Sequence, residues 1–177
     1  MKKVIFLLIS IIYSLSSVAQ QTSLNEMVSI QLPVGAKKLN NEQAMAFINN
    51  KFGSDVAASN ILKTNPEHVY LINDILVSFI PGTAGGPFGG DYLLNEKKGL
   101  DGLFKKTAGY TSQIKTVNNN QILVCHYMTK SFGIYRFLSI NSTGTRSLNC
   151  RLQFDKADID KGALLSDNLL QNIMFTK

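Results

Sequence analysis

Histidine and cysteine, the usual carriers of metal and nucleophile chemistry, are scarce in this chain: His68, His126, Cys125 and Cys150 are the only four among 177 residues. A structural zinc site takes about four ligands in short paired spacings. These four residues stand apart, so neither zinc nor any other metal is expected. Phosphate-binding fingerprints are also missing. The densest glycine stretch, from Pro81 to Gly90, ends in Gly89-Gly90-Asp91-Tyr92. A phosphate loop would place lysine and a hydroxyl residue after the last glycine, and a dinucleotide loop needs G-x-G-x-x-G. Asp91 would repel phosphate, and no cofactor is expected. Asp155, Asp158 and Asp160 lack the glycine and glutamate of a calcium loop; they read as caps for a following helix.

Charged residues are sparse at 17% against 45% apolar, the balance of a globular chain. No basic stripe is interleaved with aromatics, so nucleic acid is not an expected partner. No internal repeat and no interdomain linker are visible.

What is present begins with a leader. Met1-Lys2-Lys3 is a basic start, Val4 to Leu15 an apolar run, and Ser16-Ser17-Val18-Ala19 a small-residue cleavage site before Gln20. The run is short for a ~30 Å hydrocarbon core. Residues 1–19 therefore read as a cleaved secretory signal, with a retained anchor as the alternative. No cysteine at the cleavage point supports a lipid anchor. The expected location is the periplasm or the extracellular space, with no stable membrane span after cleavage. Removing 19 residues from 177 leaves 158, enough for one domain with a real core; Lys2 and Lys3 leave with the leader, taking the net charge from +6 to +4.

Along the mature chain, residues 20–27 are polar and read as loose. Met27 to Leu32 alternates as a short strand before Pro33 and Gly35. Asn40 or Asn41 is placed to cap a helix, with Gln43 completing a capping box behind Asn40. Ala44, Phe47, Ile48 and Phe52 carry helical spacing up to Gly53. His68 to Ile80 is either one long strand, with Val69, Leu71, Ile75, Val77 and Phe79 on one face, or a hairpin about Asn73-Asp74. After the glycine stretch a helix is predicted with Leu93, Leu100, Leu103 and Phe104 on its apolar side. Four strands follow, Ser112–Val117, Ile122–Met128, Ile134–Ile140 and Ser147–Phe154, joined by short polar connections as an antiparallel meander. A last helix opens at Asp158 or Asp160 and carries Ile159, Leu165, Leu169 and Ile173. Grouped strands without alternating crossovers make this an α+β chain: an antiparallel sheet, mainly the C-terminal meander, with about three packed helices.

Cys125 and Cys150 fall on strands separated by a third. Export permits a disulfide, but two strand spacings of ~4.8 Å exceed the ~7 Å Cα limit for a bridge. Buried free thiols are the preferred reading.

The segment Ile30-Gln31-Leu32-Pro33-Val34-Gly35, followed by a capped helix, and the ending Leu169-Leu170-Gln171-Asn172-Ile173-Met174-Phe175 behind a meander, resemble the Mog1/PsbP/DcrB-like domains. The resemblance is one of pattern and topology over most of the mature chain. It implies a small α/β domain of a kind found in photosystem accessory subunits, Ran-binding proteins and adaptor or periplasmic proteins. It carries over no functional residue and fixes no activity.

For function, no nucleophile, base and metal group is assembled in the sequence, and no catalytic residue is assigned. A non-enzymatic exported domain that binds a protein partner or small ligand is the primary reading. The alternatives are an inhibitor or immunity-type partner of a secreted protein, and a hydrolase recruiting scattered groups such as Asp91, His126 or Ser139. His126 and Cys125, adjacent on a strand, face opposite sides and cannot form a pair. The candidate binding residues are Gly85, Gly86, Phe88, Gly89 and Tyr92 in the glycine loop, with Lys97 and Lys98 beside it to steer an acidic partner. Lys97 and Lys105 each stand four residues from Asp101, the spacing of ordinary surface ion pairs. Asn141-Ser142-Thr143 matches a glycosylation acceptor, a pattern common by chance. The leader makes one direct prediction: intact-mass analysis of the natively produced protein finds a chain starting at or close to Gln20, and a chain that retains Met1 to Ala19 refutes it.

Overall fold

The computed structural model describes residues 20–53, 67–83 and 88–176. The leader, residues 54–66, and Gly85 and Gly86 of the glycine loop lie outside the described residues. Among the described residues ten strands and three α-helices are formed: β1 (Gln20–Ser23), β2 (Val28–Leu32), β3 (Lys37–Leu39), α1 (Asn41–Phe52), β4 (His68–Ile72), β5 (Ile75–Thr83), α2 (Tyr92–Phe104), β6 (Thr111–Val117), β7 (Asn120–Met128), β8 (Gly133–Ile140), β9 (Arg146–Phe154), α3 (Ile159–Gln171) and β10 (Ile173–Phe175). Seven strands make one antiparallel sheet in the order β3-β4-β5-β9-β8-β7-β6; β1, β2 and β10 make a second, smaller one. The fold is α+β, and the C-terminal meander β6 to β9 is its largest part.

Local chemistry explains the joints. Asn40 accepts from the Gln43 N–H while the Gln43 side chain accepts from the Asn40 N–H, a complete capping box at the start of α1. Asn73-Asp74 and Asn118-Asn119 both hold positive φ at two successive residues. That is the primed turn whose twist suits a two-residue hairpin, and short polar side chains tolerate it. The β4–β5 turn also corrects the alternation read across His68 to Ile80. Tyr70 pairs with Val77 and Ile72 with Ile75, so Val69 and Leu71 lie on the face opposite Ile75, Val77 and Phe79.

The large sheet is covered on both sides. On one face Tyr70, Ile72, Ile75, Val77, Phe79, Phe137, Cys150 and Phe154 pack against Leu165, Leu169 and Leu170 of α3 and against Val28, Ile30 and Ile173 of the small sheet. On the other face there are two separate clusters. Ala44, Ile48 and Phe52 of α1 cover Val69, Leu76, Phe132 and Ile134. Leu93 and Leu100 of α2 cover Leu123, Cys125, Leu138 and Ile140.

Several expectations are corrected. Gln20–Ser23 is a strand rather than a loose end, because it pairs with β2 from Gln20↔Leu32 to Ser23↔Ser29. Pro81 to Thr83 belongs to β5. Beyond Phe79 that strand has no β4 partner, so Pro81 sacrifices no ladder hydrogen bond there. Leu103 is 75% exposed; at about 100° per residue it stands roughly 80° round α2 from Leu93, while Leu100 and Phe104 stay within about 20°. Ile173 leaves the helical pattern and pairs with Ile30 in the small sheet. Asp155, not Asp158 or Asp160, supplies a side-chain cap: it accepts from the Ala157 N–H at 3.0 Å, opening a 3₁₀ turn at Lys156–Asp158. Asp158 pairs instead with Lys161 at 2.6 Å.

Asp101 is more than a surface charge between two lysines. One carboxylate oxygen takes the Lys97 ammonium at 2.6 Å, and the other accepts from Tyr110 Oη at 2.7 Å and Ser112 Oγ at 2.5 Å. These bonds tie α2 to β6 and hold the Asp101 carboxyl well below its usual range, Lys97 and Ser112 first among the causes. Burial pushes the Tyr110 phenol up to about 12.

Two measurements test this architecture. A Cβ at Gly162 would meet the Phe154 ring at 2.9 Å, whereas Gly99 and Gly102 have nothing within 4 Å. Gly99→Ala or Gly102→Ala is expected to stabilise by about 0.5–1 kcal/mol through helix propensity. Gly162→Ala is expected to destabilise by about 1–3 kcal/mol through overpacking. Urea midpoints for the three variants check this; equal signs would refute it. Asp101→Asn is expected to lower stability at pH 7. The folded carboxyl titrates below the unfolded value of 3.8, so its contribution is full above that value and fades as pH falls towards the folded one. The gap between variant and wild type therefore narrows below about pH 4 in pH-resolved melts, and a gap that is flat with pH refutes the network's ionic character.

Candidate functional site

The corner where the chain enters α2 holds the described part of the predicted binding loop. Phe88 re-enters against the β8–β9 turn, its N–H donating to the Gly144 carbonyl at 2.6 Å. The Tyr92 N–H donates to the Gly89 carbonyl at 2.8 Å. The Phe88 and Tyr92 rings lie 4.7 Å apart at 35°. Both are half-buried, because they cap the cluster of Leu93, Leu100, Leu138 and Ile140 beneath α2. Their outward surface is thus a rigid aromatic edge rather than a pair of free rings, and Gly89, Gly90 and Asp91 are exposed beside it. Burial, with Glu96 adding, raises the Tyr92 phenol, while nearby Arg136 opposes. Lys97 is engaged by Asp101; Lys98 points outward and exposed.

The scattered catalytic candidates do not converge. Asp91 sits exposed at the start of α2, on the helix-α2 side of the sheet. Ser139 is fully buried on the opposite face, paired across strands with Ile122. His126 shares that face but stands four residues further along β7, about 13 Å away at ~3.3 Å per residue. It is buried, stacked at 4.4 Å on Tyr135, and burial lowers its pKa. No group of three or more His, Cys, Asp or Glu side chains able to hold a metal occurs among the described residues. Cys125 and Cys150 are free and buried, on strands separated by β8 and in clusters on opposite faces.

A groove of about 610 Å³ lies at the turn end of the meander, lined by Asn118, Asn119, Asn141, Thr143, Arg146 and Met174 among others. Asn141 is consumed by the β8–β9 turn: its Oδ1 accepts from the N–H groups of Thr145 and Arg146, and its Nδ2 donates to Thr143 Oγ1. Arg146 likewise donates to the Thr176 carbonyl.

Sequence reasoning missed a polar row in the gap between the two helix clusters. Arg136 of β8 stands directly opposite Arg151 of β9. Arg136 Nε donates to Asn149 Oδ1 at 3.3 Å. Arg151 Nε is buried without a partner, and so are both amide atoms of the fully buried Gln153. In sequence these residues look like the solvent side of an alternating strand. Only the register and the helices on that face reveal that Gln153 is sequestered and the two arginines are half-buried.

No family model matches the chain, and no curated protein matches it in sequence. Among solved structures, the chain is similar to the cyanobacterial PsbP (CyanoP) of Synechocystis sp. PCC 6803, with a TM-score of 0.50 and 10% identity over 90% of this chain and 94% of that one. It is also similar to a protein from Bacteroides thetaiotaomicron VPI-5482, with a TM-score of 0.51 and 13% identity over 90% of this chain; it spans about half of that protein, 49%. At such identities the likeness is one of fold, and the fold is that of the PsbP/Mog1-like α/β domains.

Proposed function

We propose that this chain is an exported, non-catalytic accessory domain that docks an acidic partner protein at the corner between β5 and α2. The observation that carries the reading is the anchored Phe88–Tyr92 edge, held by the Phe88–Gly144 backbone bond and flanked by exposed Gly89 and Lys98. A pre-organised aromatic edge loses little entropy on docking, and such residues dominate binding energy when a partner covers them. Lys98, with Lys105 two helical turns on, supplies positive charge that survives on the surface once Lys97 is neutralised by Asp101. The leader-like segment at residues 1–19 supports export. The dispersal of Asp91, His126 and Ser139 over two faces of the sheet weighs against the hydrolase alternative. Among the described residues, no helix is long and apolar enough to cross a membrane.

Deleting Gly85 to Gly89 would also remove Phe88 and uncover the α2 cluster, so point variants give the cleaner test. Affinity capture from the producing cell is expected to retain one dominant partner on the wild-type chain. Tyr92→Ala is expected to weaken it by about 2 kcal/mol, roughly 30-fold, and Lys98→Glu to slow association and reduce its salt dependence. Thermal melts confirm that both variants fold. Unchanged capture by both folded variants refutes this docking corner.

A further inference from the structure

We infer that the free edge of β6 is a dimerisation seam, at which a second copy of this chain pairs antiparallel with Ile114 on the two-fold axis. Among the described residues four strand edges are open: β1 and β10 bound the small sheet, β3 and β6 the large one. Edge strands are ordinarily kept from pairing by shortness, charge, proline or a bulge. β1, β3 and β10 are three or four residues long, and β3 carries Lys37 and Lys38. β6 runs for seven residues in unbroken register with β7, with neither proline nor bulge. Its one charge, Lys115, is turned towards Asp167 of α3 at 3.3 Å.

The hairpin turn decides which backbone groups of β6 face outward. Asn118-Asn119 is a two-residue primed turn, so Val117 and Asn120 exchange both of their backbone hydrogen bonds. Alternation from there commits Lys115, Gln113 and Thr111 to β7 and points the N–H and C=O groups of Ser112, Ile114 and Thr116 away from the sheet. Those three residues are symmetric about Ile114. With Ile114 opposite its own copy, Ser112 meets the partner's Thr116, Gln113 meets the partner's Lys115, and every outward group is bonded. No like charges stand directly opposite, and paired hydroxyls favour the contact.

Side chains support the same axis. Ser112 bonds Asp101, so Ser112, Ile114 and Thr116 lie on the α2 face. Ile114 is 41% exposed there and Leu94 of α2 is 42% exposed. At about 100° per residue Leu94 stands within about 20° of Asp101, on the flank of α2 that looks over the edge. A second copy covers both apolar residues at once. Charge permits the approach although the chain is basic overall. The seam is flanked by neutralised pairs, Lys97 with Asp101 on one face and Lys115 with Asp167 on the other. Lys98 and Lys105 stand about 40–60° further round α2, above the seam rather than in it. Tyr92 is about 180° from Asp101, so the docking corner occupies the other flank of the helix.

The experiment is sedimentation equilibrium of the natively produced protein over a concentration series. The mass is expected to rise with concentration towards twice that of one chain. Ile114→Lys sets two like charges opposite each other on the axis. Thr116→Pro removes one outward N–H and leaves the β6–β7 ladder intact. Each is expected to abolish the rise, with thermal melts confirming that the variants fold. Should neither fold, cysteine placement carries the test. Paired residues on the axis lie about 5.5 Å apart at Cα, within reach of a disulfide, whereas two copies of residue 113 lie beyond the ~7 Å limit. Ile114→Cys is therefore expected to give a covalent dimer under mild oxidation, and Gln113→Cys is not. A monomer at every concentration, a dimer undiminished in both folded edge variants, or equal cross-linking at 113 and 114 overturns the seam. So does a wild-type monomer that instead captures another protein through this edge. Tyr92→Ala is expected to leave dimerisation unchanged, so failure here and failure of the docking corner are read separately.

Discussion

Strand β9 occupies the middle of the seven-stranded sheet, and its two faces set incompatible demands. Leu148, Cys150, Leu152 and Phe154 point to the large core, where α3 and the small sheet close over them. Ser147, Asn149, Arg151 and Gln153 point the other way, to a face that two helices also cover. A helix cannot seal a row of polar side chains without leaving hydrogen-bonding groups unpaired. The two helices on that face accordingly do not share a core. α1 packs on Leu76 and Ile134 at one side, and α2 on Leu123 and Leu138 at the other. Arg151 and its neighbour Arg136 lie in the gap, while Gln153 sits under α1 between Leu76 and Ile134. The separation of α1 from α2, and with it the only concentration of unsatisfied buried polar atoms at the centre of the described sheet, follows from the composition of one strand.

The opposite face shows what happens when that constraint is absent. There the inward residues of β4, β5, β7, β8 and β9 are apolar with few exceptions, and a single cluster runs from Tyr70 to Ile173. Gly162 is the means by which α3 comes close enough to join it: the helix backbone rests on the Phe154 ring, with no room for a Cβ. The small sheet completes the layer. Its strands are short, three to five residues each, and short strands are stable only when they pair and pack as a group.

What was legible in the sequence was whatever is encoded locally. The Asn40–Gln43 capping box, the turn residues of the hairpins and the four runs of the meander each need no more than a few neighbours to be recognised, and all are present. What was not legible depends on partners distant in sequence. β1 is polar and looks loose until Gln20 is paired with Leu32. Ile173 continues a helical spacing from Leu169 and is released from it only because Ile30 offers a strand edge. Phe88 and Tyr92 look exposed in a glycine-rich stretch, yet α2 cannot cover Ile140 and Leu138 unaided and takes both rings into its cluster. The Arg136–Arg151 juxtaposition needed the β8–β9 register, which periodicity alone does not supply. The similar solved structures share the fold at 10–13% identity. A polar row on one central strand is the kind of feature a shared fold leaves free to vary.

The two cysteines illustrate the same geometry from another side. The proposed export places Cys125 and Cys150 in an oxidising compartment, where exposed thiols pair or oxidise. The thiolate is the reactive form, and burial pushes the Cys125 thiol up to about 11 and the Cys150 thiol well above its usual value. Bridging is blocked independently, because β8 lies between their strands and the side chains enter clusters on opposite faces. Cys150 belongs to the apolar face of β9. Cys125 stands next to Arg136 across the β7–β8 pair, at the edge of the polar gap. Of the two, Cys125 is therefore the one on which neighbouring charges act, Arg136 and Arg151 lowering its pKa against the larger effect of burial. The sheet thus keeps both thiols inert by burial, in Cys125 against the opposing pull of the arginines beside it.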